Sequence, residues 1–443
     1  MITEADINIY REELSRNVID AFFKRSISEE GIDTALRVML ADMPSFDSYT
    51  VKLPQMTVED QKSSGRCWIY AACHVLRRLF VREYNAKDIL FSQEYVAFFD
   101  LLEKSESFLE FVISTADAPA DERILWEKLF HPVVDAGQWE FFINIIEKYG
   151  LVTQDAMQKN AQTESTSDML WRLSDMLRAA AVEIRKSYEA GGTRDELTYL
   201  KKRRMSDVYR FLSLCMGEPP TTFEFKYADK NGCCHNGGVL TPKEFYAKYI
   251  KRIELEQSIV VTCVDGCGMS YGKGYYINDL SNVQEKRPVR YLNIRQRDLK
   301  KLVRTQLEKG YAVWFGCDSR YGVDKENGFL NSDCYDYRQI GLEYPDRISR
   351  LSSRISCLSH SMVFEGFREN EEGVITGWLV KNSYGDRKGH HGYLDMADRW
   401  FDEYVYEAVI RKEYLTSELI RTYEDESNLI ELPPWHPMGS LAD

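Results

Sequence analysis

Apolar residues recur at steps of three and four between Trp68 and Phe80, at positions 69, 72, 73, 76, 79 and 80, and predict an amphipathic helix. The polar run Gln61-Lys-Ser-Ser-Gly-Arg66 precedes it and places Cys67 in the first turn. The same period from Ser167 to Tyr188 predicts a second helix, stopped by Gly191-Gly192. Thr193-Arg-Asp-Glu196 is a capping box that opens a third, with Leu197, Leu200, Met205, Val208, Phe211 and Leu212 on one face. That helix runs toward Gly217 and must stop before Pro219-Pro220. A shorter helix is predicted from Gln138 to Tyr149, ending at Gly150. From about residue 221 the pattern changes to strands and turns, with Phe223–Phe225, Ile259–Thr262 and Pro288–Leu292 as strands. Leu299 to Lys309 returns to helix before a strand at Tyr311–Phe315. Two further strands follow. Ser359–Phe367 carries His360 near its start and Gly366 close to its end, and Gly377–Lys381 runs into a turn at Asn382-Ser-Tyr-Gly385.

Cys67 is singled out among the ten cysteines by its place at a helix N-terminus. Unpaired backbone N–H groups and the helix dipole favour negative charge there, and the thiolate is the reactive form of cysteine. A thiol nucleophile needs a base, and the base needs a group to orient its ring. A hairpin-like pairing of the His360 and Asn382 strands would bring those two side chains together. Asn382 would then accept from one imidazole nitrogen and leave the other for the thiol. Gln61, with the Cys67 backbone N–H, is placed to cradle an oxyanion.

In the order Gln61, Cys67, His360, Asn382 the chain resembles the papain-like cysteine peptidases, and within them the bleomycin hydrolase/aminopeptidase C branch. The run Gln61-Lys-Ser-Ser-Gly-Arg-Cys-Trp-Ile69 carries the resemblance. So do Asp135-Ala-Gly-Gln-Trp139, Leu240-Thr-Pro-Lys-Glu-Phe-Tyr246, Trp314-Phe-Gly-Cys-Asp318 and the tail Pro434-Trp-His-Pro-Met-Gly-Ser-Leu-Ala442. Asp60, Ala136 and Tyr384 depart from the branch's usual residues, Tyr384 standing where a Trp is common. The resemblance implies an α+β, papain-like two-lobed fold, a helical lobe facing an antiparallel β lobe, with a large helical insertion. Spacing agrees with the insertion: Cys67 and His360 lie 293 residues apart, against about 130–150 in papain-type enzymes. The expected division is a single peptidase unit. It comprises an N-terminal segment (1–60), the helical lobe with Cys67 (61–130), a mostly helical insertion (131–220), the β-rich lobe with His360 and Asn382 (221–425) and a C-terminal arm (426–443).

The implied activity is removal of N-terminal amino acids from peptides by thiolate attack and acyl-enzyme hydrolysis. The arm would lie in the cleft on the side N-terminal to the cut. Its terminal carboxylate would meet the substrate's α-ammonium group, with Ala442 and Asp443 as the substrate-binding residues. Endopeptidase activity without a tail in the cleft, or a silent scaffold, are the alternatives. The resemblance also implies a homohexamer enclosing an inner chamber.

Composition narrows the rest. A net charge of −13 argues against nucleic acid as the main partner. The short basic run Lys201-Lys-Arg-Arg204 reads as a solvated helix face, or one opposite an acidic neighbour in an oligomer. No window of about 18 apolar residues suggests a membrane span. The acidic start, Met1-Ile-Thr-Glu-Ala-Asp-Ile7, lacks a signal-peptide pattern, so a cytoplasmic setting with reduced thiols is expected. Cys233-Cys234-His235 with Cys263 and Cys267 has the wrong spacing for a zinc ribbon, and neither a metal nor a cofactor is expected.

Overall fold

The computed structural model describes residues 1–40, 44–119 and 121–440. Amphipathic stretches of the first half form helices, and the apolar runs of the second half form a large sheet on which they pack. The result is a mixed α/β architecture around one large core, with a small second cluster of Tyr49, Val58, Leu379 and Tyr393. The main helices are Cys67–Glu83, Gln93–Ser114, Trp139–Tyr149, Ser167–Glu189, Arg194–Met216 and Gln296–Glu308. The capping box at Thr193 forms as its sequence predicts: Glu196 N–H donates to Thr193, and the Thr193 N–H donates back to the Glu196 carboxylate at 2.6 Å.

The strands in chain order are β1 (Val51–Lys52), β2 (Phe223–Ala228), β3 (Cys234–Leu240), β4 (Ser258–Thr262), β5 (Lys273–Ile277), β6 (Arg290–Asn293) and β7 (Val313–Cys317). They continue with β8 (Val323–Asp324), β9 (Phe329–Leu330), β10 (His360–Glu369), β11 (Ile375–Lys381), β12 (Tyr393–Ala397), β13 (Val405–Arg411) and β14 (Ile430–Leu432). Among the described residues twelve strands share one sheet, ordered β14-β5-β6-β4-β13-β7-β10-β11-β12-β9-β8, with β1 pairing with β10; β2 and β3 form a separate hairpin. The sequence leads one to expect an antiparallel β lobe, but the sheet is mixed. β4–β6, β5–β14 and β9–β12 are parallel pairs, each joining strands far enough apart in sequence to permit a crossover.

The centre of the sheet, β7 with the first eight residues of β10, is buried throughout; this suits the apolar run of β7, while β10 carries His360, Ser361 and Glu365 among its buried residues. β10 runs on to Glu369, beyond the Phe367 expected to end it, and a bulge falls between Phe364 and Gly366. β1 pairs antiparallel with β10 there, Lys52 opposite Gly366, and a Cβ on Gly366 would come within 2.3 Å of the Val51 carbonyl. β6 starts at Arg290, two residues after the Pro288 expected to open it, consistent with a proline that cannot donate to the ladder.

The N-terminal segment, for which the sequence reading proposes no elements, forms helices Glu4–Arg16, Val18–Glu30 and Ile32–Ala35. None of their residues is buried. The basic run on the Arg194–Met216 helix pairs within the chain. Lys201 bonds Glu106 and Glu110 at 2.5 and 2.7 Å, while Arg203 and Arg204 share Glu183, so the run ties three helices together. None of the ten cysteines is in a disulfide. Among the described residues no group of three or more His, Cys, Asp or Glu side chains could hold a metal ion, and no helix is long and apolar enough to cross a membrane.

Candidate active site

The Cys67–Glu83 helix packs against β10, and this contact brings Cys67 to the start of the His360 strand. Arg66 is the helix N-cap and offers no side-chain cap, so the first-turn N–H groups keep their pull on negative charge. Arg66 instead anchors the turn from beneath. It pairs with the fully buried Glu94 at 3.3 Å and donates to the Thr163 carbonyl. Asp135 holds the other side of the turn, accepting from Gly65 N–H at 3.0 Å and from Trp68 Nε1 through its carbonyl at 2.8 Å. Gly137 is pressed so close to the Trp68 ring that a Cβ there would lie 2.4 Å away.

β10 and β11 pair antiparallel, Val363 opposite Lys381, and this register sets Asn382 beside His360. His360 Nε2 lies 2.9 Å from Asn382 Oδ1, which also accepts from the Ser383 N–H at 2.7 Å. An oxygen already accepting in this way assigns the ring proton to Nε2 and leaves the lone pair on Nδ1. Tyr384 stacks on the imidazole, ring centroids 5.2 Å apart and planes 21° from parallel. The Ser361 N–H donates to Cys67 Sγ at 3.3 Å. Cys67 and His360 are both buried. Burial lowers the His360 pKa to about 4; the Asn382 hydrogen bond opposes the shift and the Lys325 charge adds to it.

Gln61 is buried and fixed at both ends of its amide. Oε1 accepts from Ser383 Oγ at 2.5 Å and Nε2 donates to the Ser64 carbonyl at 2.6 Å. One of its two N–H groups is thereby engaged and the second is left over. The four side chains singled out in the sequence thus lie on three adjoining pieces of backbone: the loop before the helix, the helix itself, and the β10–β11 pair. Sequence reasoning missed Ser383, Ser361, Arg66 and Asp135 as supports. Ser383 lies in the same turn as Asn382 and was within reach of a turn-based reading. Ser361 acts through its backbone, which carries no residue-type signal.

The C-terminal arm approaches the same region. β14 pairs with β5, after which Met438 is buried with its carbonyl accepting from Tyr291 OH at 3.0 Å. His436 Nε2 lies 2.7 Å from the Cys267 carbonyl, and the Ser440 carbonyl accepts from Gln138 Nε2 at 3.1 Å. Gln138 adjoins Gly137 and so the Trp68 ring. Ala442 and Asp443, expected to bind the substrate, lie outside the described residues.

The fold and this constellation define a papain-like peptidase. The model of the Peptidase C1-like family matches residues 1–439, and the chain belongs to that family. Among relatives, it is 35% identical over 394 residues to bleomycin hydrolase of Mus musculus, covering 87% of this chain and 86% of that one. It is 34% identical over 421 residues to aminopeptidase C of Lactococcus lactis subsp. lactis, with 95% and 94% covered. The crystal structure of PepW from Lactobacillus rhamnosis HN001 superposes with a TM-score of 0.94 at 32% identity, covering 100% of this chain and 99% of that one.

Proposed function

We propose that the protein is a cysteine aminopeptidase in which Cys67 is the nucleophile and His360 the general base and acid. Asn382 orients the ring, and Gln61 with the Cys67 N–H receives the oxyanion. The observation that carries this reading is a single stretch of β10: His360 is held by Asn382 at 2.9 Å while the next residue's N–H reaches Cys67 Sγ at 3.3 Å. The relatives' names, bleomycin hydrolase and aminopeptidase C, support the substrate class.

The Cys67 proton passes to His360 Nδ1 as sulfur bonds to the first peptide carbonyl carbon, and the carbonyl electron pair moves onto oxygen. An imidazolium beside a thiolate is an opposite-charge pair, whose attraction offsets the burial that lowers His360 alone. The Ser361 N–H and the helix N-terminus stabilise the sulfur anion. Collapse of the tetrahedral species breaks the C–N bond, and His360 gives its proton to the departing amine. Water, deprotonated by His360, then cleaves the thioester and releases the N-terminal amino acid.

In this reading two lobes, one helical and one β-rich, meet at the cleft beside the Cys67 helix. The arm fills the cleft on the side N-terminal to the cut, with Ala442 and Asp443 facing the substrate amine. The path of the arm through Met438 to Ser440, beside Gln138, supports that direction. A hexameric assembly suits the exposed Ile9, Tyr10, Leu14, Val18, Ile19 and Phe22 on the N-terminal helices. A cytoplasmic setting suits ten cysteines of which none is in a disulfide.

The test compares one peptide with a free and an acetylated N-terminus. The free form should lose one residue at a time, and the acetylated form should resist. Equal cleavage of both, or internal cuts, would contradict the aminopeptidase reading.

A further inference from the structure

A cavity lies beside His360, walled by its chain neighbour Ser359 and by Tyr384, which covers its ring. It has a volume of about 580 Å³ and is walled by Ser359, Tyr384, Lys325, Arg320, Tyr337 and Asp33 among others. Ser359 precedes His360 in the chain, and Tyr384 stacks on its ring. A general acid must face the side from which the leaving group departs. The residues that follow the scissile bond therefore have this cavity to enter.

The charges on its wall differ in how far they are engaged. Arg320 is held in a two-point pair by Asp318, at 2.9 and 2.8 Å. Asp33 accepts from Tyr337 OH at 2.8 Å. Lys325 is exposed, and its ammonium lies 4.5 Å from the centre of the Tyr384 ring; among the described residues no carboxylate lies within ion-pair distance of it. Its backbone is fixed: the turn it opens is closed by the Gly328 N–H on the Asp324 carbonyl at 2.8 Å, and the Gly389 N–H bonds the Lys325 carbonyl at 3.1 Å. A cation with no paired acid is thus held beside the general acid, on an aromatic face that orients it.

We infer that this cavity is the leaving-group subsite and that Lys325 selects an anion there, either an acidic side chain on the residue after the cut or the free α-carboxylate of a dipeptide. The inference rests on the peptidase reading above and adds a specificity-determining residue to it. Peptide amides isolate the side-chain source: Ala-Glu-Ala-amide against Ala-Gln-Ala-amide. Dipeptides isolate the carboxylate source: Ala-Ala free acid against Ala-Ala-amide. Wild-type kcat/KM should favour the anionic member of at least one pair by about three- to fivefold, the scale of a solvent-accessible ion pair. In Lys325→Gln that ratio should fall to about one, and in Lys325→Glu it should invert, whatever the absolute rates. Each ratio is internal to one enzyme preparation, so partial loss of folding does not move it. Wild-type ratios of one in both pairs, or a preference retained in Lys325→Gln, would overturn the subsite. Failure to cleave any peptide, neutral ones included, would overturn the peptidase reading and the subsite with it.

Discussion

Cys67, His360 and Asn382 take their properties from burial and from backbone donors as much as from one another. The same physics acts on Glu140, one residue past Trp139 at the start of its helix. Burial pushes its pKa up to about 7, against its hydrogen bonds and the Arg287 charge. The folded state therefore holds this proton more tightly than the unfolded chain, and stability falls as pH rises from about 4.5 to about 7. The difference corresponds to about 3 kcal/mol. Glu140→Gln cannot ionise, so it should be more stable than the wild type by up to this amount near pH 8 and about equal near pH 4. Denaturant unfolding at the two pH values measures it; an equal effect at both would assign the change to packing instead.

At the level of elements, the decisive contact is between the Cys67–Glu83 helix and β10. It is tied by buried polar groups: Glu365 of β10 accepts from His74 at 2.6 Å and from Arg78 Nε at 2.5 Å, both on the helix. Lys381 of β11 lies near enough to feel Glu365 and Glu59, while burial lowers its pKa to about 8. Removing Glu365 would leave buried cations without their acid, which costs about 3–5 kcal/mol. Glu365→Ala should lose that stability, and kcat should fall as the helix and strand lose their mutual position. Thermal unfolding and peptide turnover test both. Unchanged activity at reduced stability would show that the tie is not needed for the site. Little of this cluster was legible in the sequence, since charged residues inside an apolar strand give no periodic signal. The helices from 139 to 216 were legible because their stripes and stop signals agree. The order Gln61, Cys67, His360, Asn382 was legible because each type has a defined role in thiol chemistry. The parallel strand pairs were not, because pairing partners far apart in sequence leave no local pattern.

At the scale of the whole molecule, the proposed function has the arm run from the far edge of the sheet into the cleft. β14 closes that edge, and the segment beyond it is pinned at His436, Met438 and Ser440. His436 and Met438 precede the tip, so deleting residues 440–443, which removes, of these anchors, only the Ser440 contact with Gln138, should leave the fold intact while opening the cleft that the arm is proposed to fill. Aminopeptidase activity should fall at least tenfold, a loss of about 1.4 kcal/mol in transition-state binding, and internal cleavage of acetylated peptides should appear. Unchanged behaviour toward both substrate types would remove the arm from the specificity account.

The most direct measurement is peptide mass mapping of enzyme quenched in acid during turnover of an alanyl ester. The acyl group should be found on Cys67 in the wild type and be absent from Cys67→Ala, which should fold but not turn over substrate. An acyl group on any other cysteine, or turnover by Cys67→Ala, would contradict the account.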